Sequence, residues 1–186
     1  MITLRYPLRT LLGDDLRAAT GVGIGAGVLS SNPVGWPLGL VFGGILVVFG
    51  GFGLRTLRNH MLRVRPIPEG LTRTVLFRRS LAWTELTAVK LRYYGTRRHR
   101  TGEGIVQNGF MQLILTGPHG RMTYESSLEG FDYLVWRAAR AARETGLGLD
   151  PGTAGNMLNL DIDPDGETRP PSEVRNLAAK IDGIAL

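Results

Sequence analysis

The sequence of 186 residues contains no cysteine. This absence excludes disulfide bonds, thiolate nucleophiles, and zinc or iron–sulfur sites held by cysteine. Histidine is scarce as well: His60, His99 and His119 lie far apart along the chain, which favours solvent-exposed positions over a metal site. No nucleophile–base set accompanies them. We therefore expect a protein that is not an enzyme and that needs no cofactor.

Charge is missing from one long stretch. The 37 residues from Ala18 to Leu54 include no Asp, Glu, Lys, Arg or His. A membrane-spanning helix needs about 20 predominantly apolar residues, so this stretch is too long for a single span. The turn-forming sequence Asn-Pro-Val-Gly-Trp-Pro lies near its middle, at residues 32–37. The pattern predicts a transmembrane helical hairpin, preceded by an amphipathic interfacial segment.

The two spans differ in length. The first, Leu16 to Ser31, would reach only about 24 Å across a hydrocarbon core of about 30 Å, so a full crossing and a re-entrant path both stay open. The second, Pro37 to Leu54, reaches about 27 Å. Arginines flank the stretch on both sides, and positive residues stay in the cytoplasm. We predict a multi-pass protein of the inner (cytoplasmic) membrane with both termini cytoplasmic.

Glycines recur at four-residue spacing within this stretch. Such spacing places them on one helix face and lets backbones approach closely. It predicts helix packing, either within the hairpin or between the protomers of a homo-oligomer. The glycines concerned are Gly21, Gly25, Gly35, Gly39 and Gly43.

From about residue 59 the pattern changes to alternation of apolar and polar residues, which is typical of strands. Segments 71–77, 89–93 and 110–116 alternate in this way, and a Gly-Pro-His-Gly turn at 117–120 leads into another short strand. The sequence therefore predicts an antiparallel β-meander.

One strong amphipathic helix follows the strands. A capping box formed by Ser126 and Glu129 predicts its start, and Gly146 predicts its end. Arg137 falls on a different face from the apolar stripe. This is an α+β domain in which one C-terminal helix closes the meander. The apolar residues at helical spacing are Phe131, Leu134, Val135, Ala138 and Ala142.

Strands followed by one closing helix is the order of elements in a pleckstrin-homology-like (PH-like) domain. Within residues 70–94, Trp83, Glu85 and Leu86 form a Trp–x–Glu–hydrophobic step between two strands. This segment resembles bacterial membrane proteins that carry a PH-like cytoplasmic domain after a two-helix membrane hairpin. The resemblance covers residues 15–147 and implies a PH-like β-barrel and a membrane location.

The resemblance and the patterns together predict three regions. Residues 1–58 would form the interfacial segment and hairpin, and residues 59–149 the PH-like domain. Residues 150–186, rich in Pro, Gly and Asp, would form a flexible tail with a short helix at 172–181.

The densest charged cluster contains Arg92, Arg97, Arg98 and Arg100. Arginine binds phosphate through two parallel hydrogen bonds, so these residues are candidates for contact with anionic lipid headgroups. A solvated loop is the alternative. Nucleic acid is disfavoured as a partner because Tyr93 falls on the apolar face of a predicted strand.

A second motif, at residues 161–166, matches the start of an EF-hand calcium loop. Asp161, Asp163 and Asp165 stand at its first, third and fifth positions, followed by glycine. The twelfth position is Ser172 in place of the bidentate glutamate. An acidic turn is therefore favoured over a calcium site.

These patterns indicate a membrane-anchored binding or scaffolding module without catalytic activity. We expect membrane lipids and a membrane protein as partners. One alternative is an accessory subunit of a larger membrane complex that docks through the glycine-rich hairpin. The other is a sensor that responds to lipid or calcium.

Overall fold

The structure is a computed structural model that describes residues 2–31, 35–95, 99–101, 104–106 and 109–183. Within these ranges the chain is α+β, with five α-helices and two three-stranded antiparallel sheets. It divides into two compact units. Tyr6–Leu62 form the helical hairpin, and Met1–Arg5 together with Arg63–Leu186 form the sheet domain.

The helical hairpin consists of α1 (Leu8–Ser31) and α2 (Trp36–Met61), packed antiparallel. The turn residues 32–34 lie outside the described residues. Pro37 stands in the first turn of α2, where its missing N–H costs no hydrogen bond. Both helices extend beyond the predicted spans, and α2 runs past Leu54 to Met61 through a segment that contains no Gly or Pro to interrupt it.

Among the described helices, α2 alone is long and apolar enough to cross a membrane. In α1, Asp14, Asp15 and Arg17 interrupt the apolar run and leave the uncharged part, residues 18–31, short for a span. One candidate span indicates association with a membrane. The two-span topology and the cytoplasmic termini remain predictions.

The sheet domain begins with a three-stranded meander. Its strands are β1 (Arg63–Ile67), β2 (Gly70–Thr74) and β3 (Arg78–Ala82), and a 3₁₀ turn, Trp83–Glu85, follows. Residues 75–77, which alternation predicted as strand, form the turn between β2 and β3, because Thr74 already pairs with Arg78.

The second sheet has the order β4-β7-β8. Strands β5 and β6, which lie between β4 and β7 in the sequence, pair with each other. The strands predicted at 89–93 and 110–116 are confirmed, and so is the turn that leads into β8. The strands are β4 (Ala88–Gly95), β5 (His99–Thr101), β6 (Gly104–Val106), β7 (Gly109–Gly117) and β8 (Gly120–Glu125).

Three helices complete the domain: α3 (Phe131–Glu144), α4 (Pro151–Leu158) and α5 (Ser172–Ile181). The predicted apolar stripe of α3 is confirmed, since all five of its residues are buried. Gly146 ends the helix in a left-handed conformation (φ 69°), and Leu147 N–H donates to the Ala142 carbonyl at 2.7 Å, as in a Schellman motif. The order of strands and helix agrees with the prediction, while the PH-like barrel remains a prediction.

One detail of the predicted helix is wrong. Its N-cap is Gly130, which makes no side-chain cap, and Ser126 instead accepts a hydrogen bond from Met111 N–H at 3.0 Å. The capping box fails because Ser126 lies at the end of β8 and is used to continue the strand pairing. Arg137, which lies on a different face from the apolar stripe, is also buried.

The predicted flexible tail also needs correction. The helix at 172–181 is confirmed, but α4 was not predicted, and both helices pack on the domain. Met157, Ile162, Val174 and Ala178 are each at most 1% exposed. Around α4, apolar residues are too sparse among Pro, Gly and Asp to show a helical period in the sequence, yet Met157 of this helix is buried in the core.

Candidate functional site

A cleft of about 500 Å³ lies between the outer edge of β4 and helix α4. Strand β4 is at the edge of its sheet, so one side of its backbone faces away from β7. An edge strand can pair with another extended chain, which makes it a natural binding surface. The cleft is lined by Lys90, Leu91, Arg92, Tyr93, Tyr94, Asp150, Gly152, Thr153 and Asn156.

Helix α4 attaches to this edge through side chains. Leu91 N–H donates to Thr153 Oγ1 at 3.1 Å, and Asn156 Nδ2 donates to the Leu91 carbonyl at 2.7 Å. The two side chains therefore satisfy the backbone groups of Leu91 in the way a neighbouring strand would. They hold α4 at one point of the edge.

The N-cap of α4 orients the Thr153 hydroxyl. Asp150 Oδ1 accepts from Thr153 N–H at 2.9 Å, and Oδ2 accepts from the Thr153 hydroxyl at 2.8 Å. These two hydrogen bonds hold the pKa of Asp150 below its ordinary value. With its proton directed at Asp150, the hydroxyl offers a lone pair to Leu91 N–H. The N-cap of α4 and its contact with the β4 edge therefore share one residue, Thr153.

Beyond this contact the edge continues to Tyr93. Along a strand, the backbone N–H and C=O groups of every second residue point to the same side, so those of Tyr93 face outward as those of Leu91 do. In the part of the chain that the structure describes, the outward groups of Tyr93 have no hydrogen-bond partner. Among the described residues, nothing pairs with this portion of the edge, where an extended segment could add a strand.

The solvent face of β4 beside the cleft is basic and aromatic. Lys90 and Arg92 are exposed and alternate with Leu91 in the core. Tyr94 stacks on Phe110 across β4 and β7, with ring centroids 5.4 Å apart, and both rings remain about 40% exposed. The surface combines positive charge with an aromatic platform, a combination that suits an acidic segment with apolar side chains.

Of the four arginines predicted to contact anionic lipid, Arg92 lies at this cleft. Arg97 and Arg98 fall outside the described residues, and Arg100 lies in β5 with its side chain outside them. The structure therefore places one member of the cluster, and the anion-binding cluster remains a prediction.

The predicted glycines divide into two groups. A Cβ at Gly21 would collide with the Phe49 ring, and a Cβ at Gly25 would lie 3.2 Å from Leu46 Cβ, so these two allow α1 to approach α2. Added Cβ atoms at Gly39 and Gly43 would meet no described atom within 4 Å, and one at Gly35 would meet only Pro37, 3.8 Å away.

The acidic motif at residues 161–166 makes hydrogen bonds within its own loop. Asp163 Oδ1 accepts from Asp165 N–H and Oδ2 accepts from Thr168 N–H, each at 2.9 Å. The hydrogen bond from Thr168, followed by that from Asp165, lowers the pKa of Asp163. Asp161 adopts a left-handed backbone conformation beside it. Across the described ranges, no three acidic or histidine side chains cluster as metal ligands.

A buried polar cluster was missed by the sequence reasoning. The Arg137 guanidinium lies 5.1 Å from the Trp83 ring centroid and donates to the Pro68 carbonyl at 3.1 Å. Tyr133 donates to Asp182 Oδ2 at 3.0 Å, and Asp182 Oδ1 lies 4.0 Å from Arg137 Nε. Burial raises the pKa of Asp182. The cluster joins the Trp83 turn, α3 and the end of α5, which is a structural role.

Comparison with known proteins adds no relative: no protein-family model, curated protein or solved structure matches the chain. The resemblance to PH-like membrane proteins therefore stands as a prediction from the residues quoted for it.

Proposed function

We propose that the protein is a membrane-anchored binding module in which the β4–α4 cleft holds an acidic, extended segment of a partner protein. The observation that carries this proposal is the cleft itself. It combines an edge strand with available backbone groups at Tyr93, two cations, and a stacked aromatic pair. No catalytic step is part of this function.

The membrane anchor in this proposal is α2. Many of its large apolar side chains face outward, and Trp36, Leu40 and Val47 are each more than two thirds exposed. Such a continuous apolar surface requires a non-aqueous environment. We infer that α1 accompanies it as a second or re-entrant pass in the inner membrane, with both termini in the cytoplasm because arginines flank the hairpin.

Binding would use three kinds of contact. The partner's backbone pairs with the outward groups of Tyr93 and extends the sheet. Its acidic side chains face Lys90 and Arg92, and its apolar side chains lie on the Tyr94–Phe110 pair. Backbone pairing supplies affinity, while charge and the aromatic surface select the sequence. The fold that presents this edge is, in this proposal, a PH-like domain.

Site-specific photocrosslinking in the intact membrane tests the proposal. A photoreactive amino acid at position 94 should crosslink a partner segment rich in Asp and Glu, whereas the same residue at position 119, in the β7–β8 turn, should not. Arg92→Glu should abolish the crosslink. Arg121→Glu makes the same charge change on β8, the opposite edge of that sheet, and should leave it intact.

Crosslinks at position 94 that Arg92→Glu does not reduce would refute the assignment of the cleft. A crosslinked segment without acidic residues would do the same.

A second candidate function rests on Gly39 and Gly43. Their surroundings are open among the described residues, so this face of α2 can accept another transmembrane helix. The protein would then be an accessory subunit of a membrane complex. Gly39→Leu should release such a partner while Arg92→Glu keeps it bound, and the cleft function predicts the reverse.

A further inference from the structure

The turn between β2 and β3 presents two large apolar side chains to solvent. Phe77 is 82% exposed and Leu76 is 75% exposed, more than any other large apolar side chain described in the sheet domain. Turns of three residues between paired strands normally carry small or polar residues. The pairing of Thr74 with Arg78 holds these two side chains at the tip and away from the core.

The surroundings of this turn are basic. Residues 70–84 include Arg73, Arg78 and Arg79 but no Asp or Glu. Arg78 and Arg79 are exposed on β3 directly after Phe77. An apolar tip flanked by arginines complements an anionic membrane surface, where headgroups attract the cations and the acyl boundary accepts the apolar side chains.

The strand register decides where in the sheet domain the tip lies. Arg63 pairs with Thr74, and Thr74 pairs with Arg78, so the tip and the start of β1 are at the same end of the sheet. Because the turn joins β2 to β3, one to two strand spacings separate it from Arg63, about 5–10 Å. Leu62 is the only residue between Arg63 and the last residue of α2. The tip therefore lies at the end of the sheet where the chain arrives from the apolar helix.

We infer that the β2–β3 turn is a second membrane contact, in which Leu76 and Phe77 enter the interfacial layer of a bilayer and Arg78 and Arg79 bind its anionic headgroups. This inference rests on the proposed membrane anchor but not on the cleft. Two contacts, one helix and one turn, would restrict how the sheet domain rotates above the membrane and thereby direct the β4 edge.

The absence of cysteine makes a direct test practical, because one introduced cysteine gives a unique label. The full chain carrying Phe77→Cys, labelled with an environment-sensitive fluorophore, is reconstituted into vesicles of phosphatidylcholine alone or mixed with phosphatidylglycerol. Nitroxide lipids should quench the label at least twofold more in the anionic vesicles. The label at His119→Cys, in the β7–β8 turn, should show no lipid quenching in either.

Two charge-reversal variants refine the test. Arg78→Glu together with Arg79→Glu should remove the lipid quenching at position 77, while Arg121→Glu together with Lys180→Glu, an equal change of charge at two exposed positions elsewhere, should leave it.

The outcomes separate this inference from the proposed anchor. If the full chain fails to float with the vesicles, the anchor is wrong and the inference falls with it. If it floats but iodide in the buffer quenches positions 77 and 119 equally, the anchor stands and the inference is overturned. A label at position 77 shielded from both iodide and nitroxide lipids would show a protein contact instead, which also overturns it.

Discussion

Replacement of Arg137 by methionine should destabilise the sheet domain by about 3 kcal/mol. The buried guanidinium donates to the Pro68 carbonyl, and a hydrogen bond to a charged group contributes about 1.5–3 kcal/mol. Its position over Trp83 adds about 2 kcal/mol for a desolvated cation–π contact. Methionine recovers part of the sum because it fills similar volume and removes the cost of burying a charge.

The same change should depend on pH through Asp182. Burial raises the pKa of this carboxyl above its ordinary value of 3.8, and removal of Arg137 takes away the larger of the two arginine charges that favour its ionised form, which leaves Arg140 alone. A carboxyl whose pKa is raised in the folded state loses stability as pH rises from its unfolded pKa through its folded pKa. The loss caused by Arg137→Met should therefore be larger at pH 8 than at pH 5. Adding Asp182→Asn should remove that difference.

Urea denaturation of the full chain in mild detergent measures this effect. In a Trp36→Phe background, the tryptophans at 83 and 136 report on the sheet domain. Arg121→Met, an exposed position, serves as the matched control and should change stability by less than about 0.5 kcal/mol. A loss below about 1 kcal/mol for Arg137→Met would refute the role assigned to the buried cluster.

Two further predictions follow. Gly21→Leu should separate α1 from α2 because its side chain would occupy the position of the Phe49 ring, and a crosslink between the helices should be lost while Gly23→Leu, with open space, keeps it. Asp150→Ala should cost about 1 kcal/mol through loss of the α4 cap. Since the pKa of Asp150 is lowered, its contribution is present above pH 3.8 and is lost on further acidification. The free energy of unfolding, measured by urea denaturation at a series of pH values, should therefore fall less below pH 3.8 in this variant than in wild type.

Much of the fold was predictable where one physical pattern dominates. The apolar stripe of α3 repeats at helical spacing, and the alternation around β4 and β7 shows which side chains face the core. The same reasoning failed at residues 75–77, because alternation cannot distinguish a strand from a turn that carries apolar residues. In that turn, pairing between Thr74 and Arg78 overrode the apparent period.

The candidate site was largely beyond sequence reasoning. Arg92 was identified from charge density alone, and the aromatic pair on the same surface joins Tyr94 to Phe110, 16 residues further along the chain. Thr153 and Asn156 stand in a segment predicted to be flexible, yet they complete the edge of β4. Nothing local in the chain indicates such a contact, because the contact depends on which strand occupies the edge of the folded sheet.

The sequence by itself determined the apolar hairpin region, the antiparallel strands and the amphipathic closing helix, since each follows from local periodicity and hydrophobicity. Only the tertiary structure decided that α4 covers part of the β4 edge, that Arg137 is buried against Trp83, and that the Leu76–Phe77 tip lies at the end of the sheet where β1 begins. These are consequences of strand order and register, which bring together residues far apart in the chain and which no local pattern encodes.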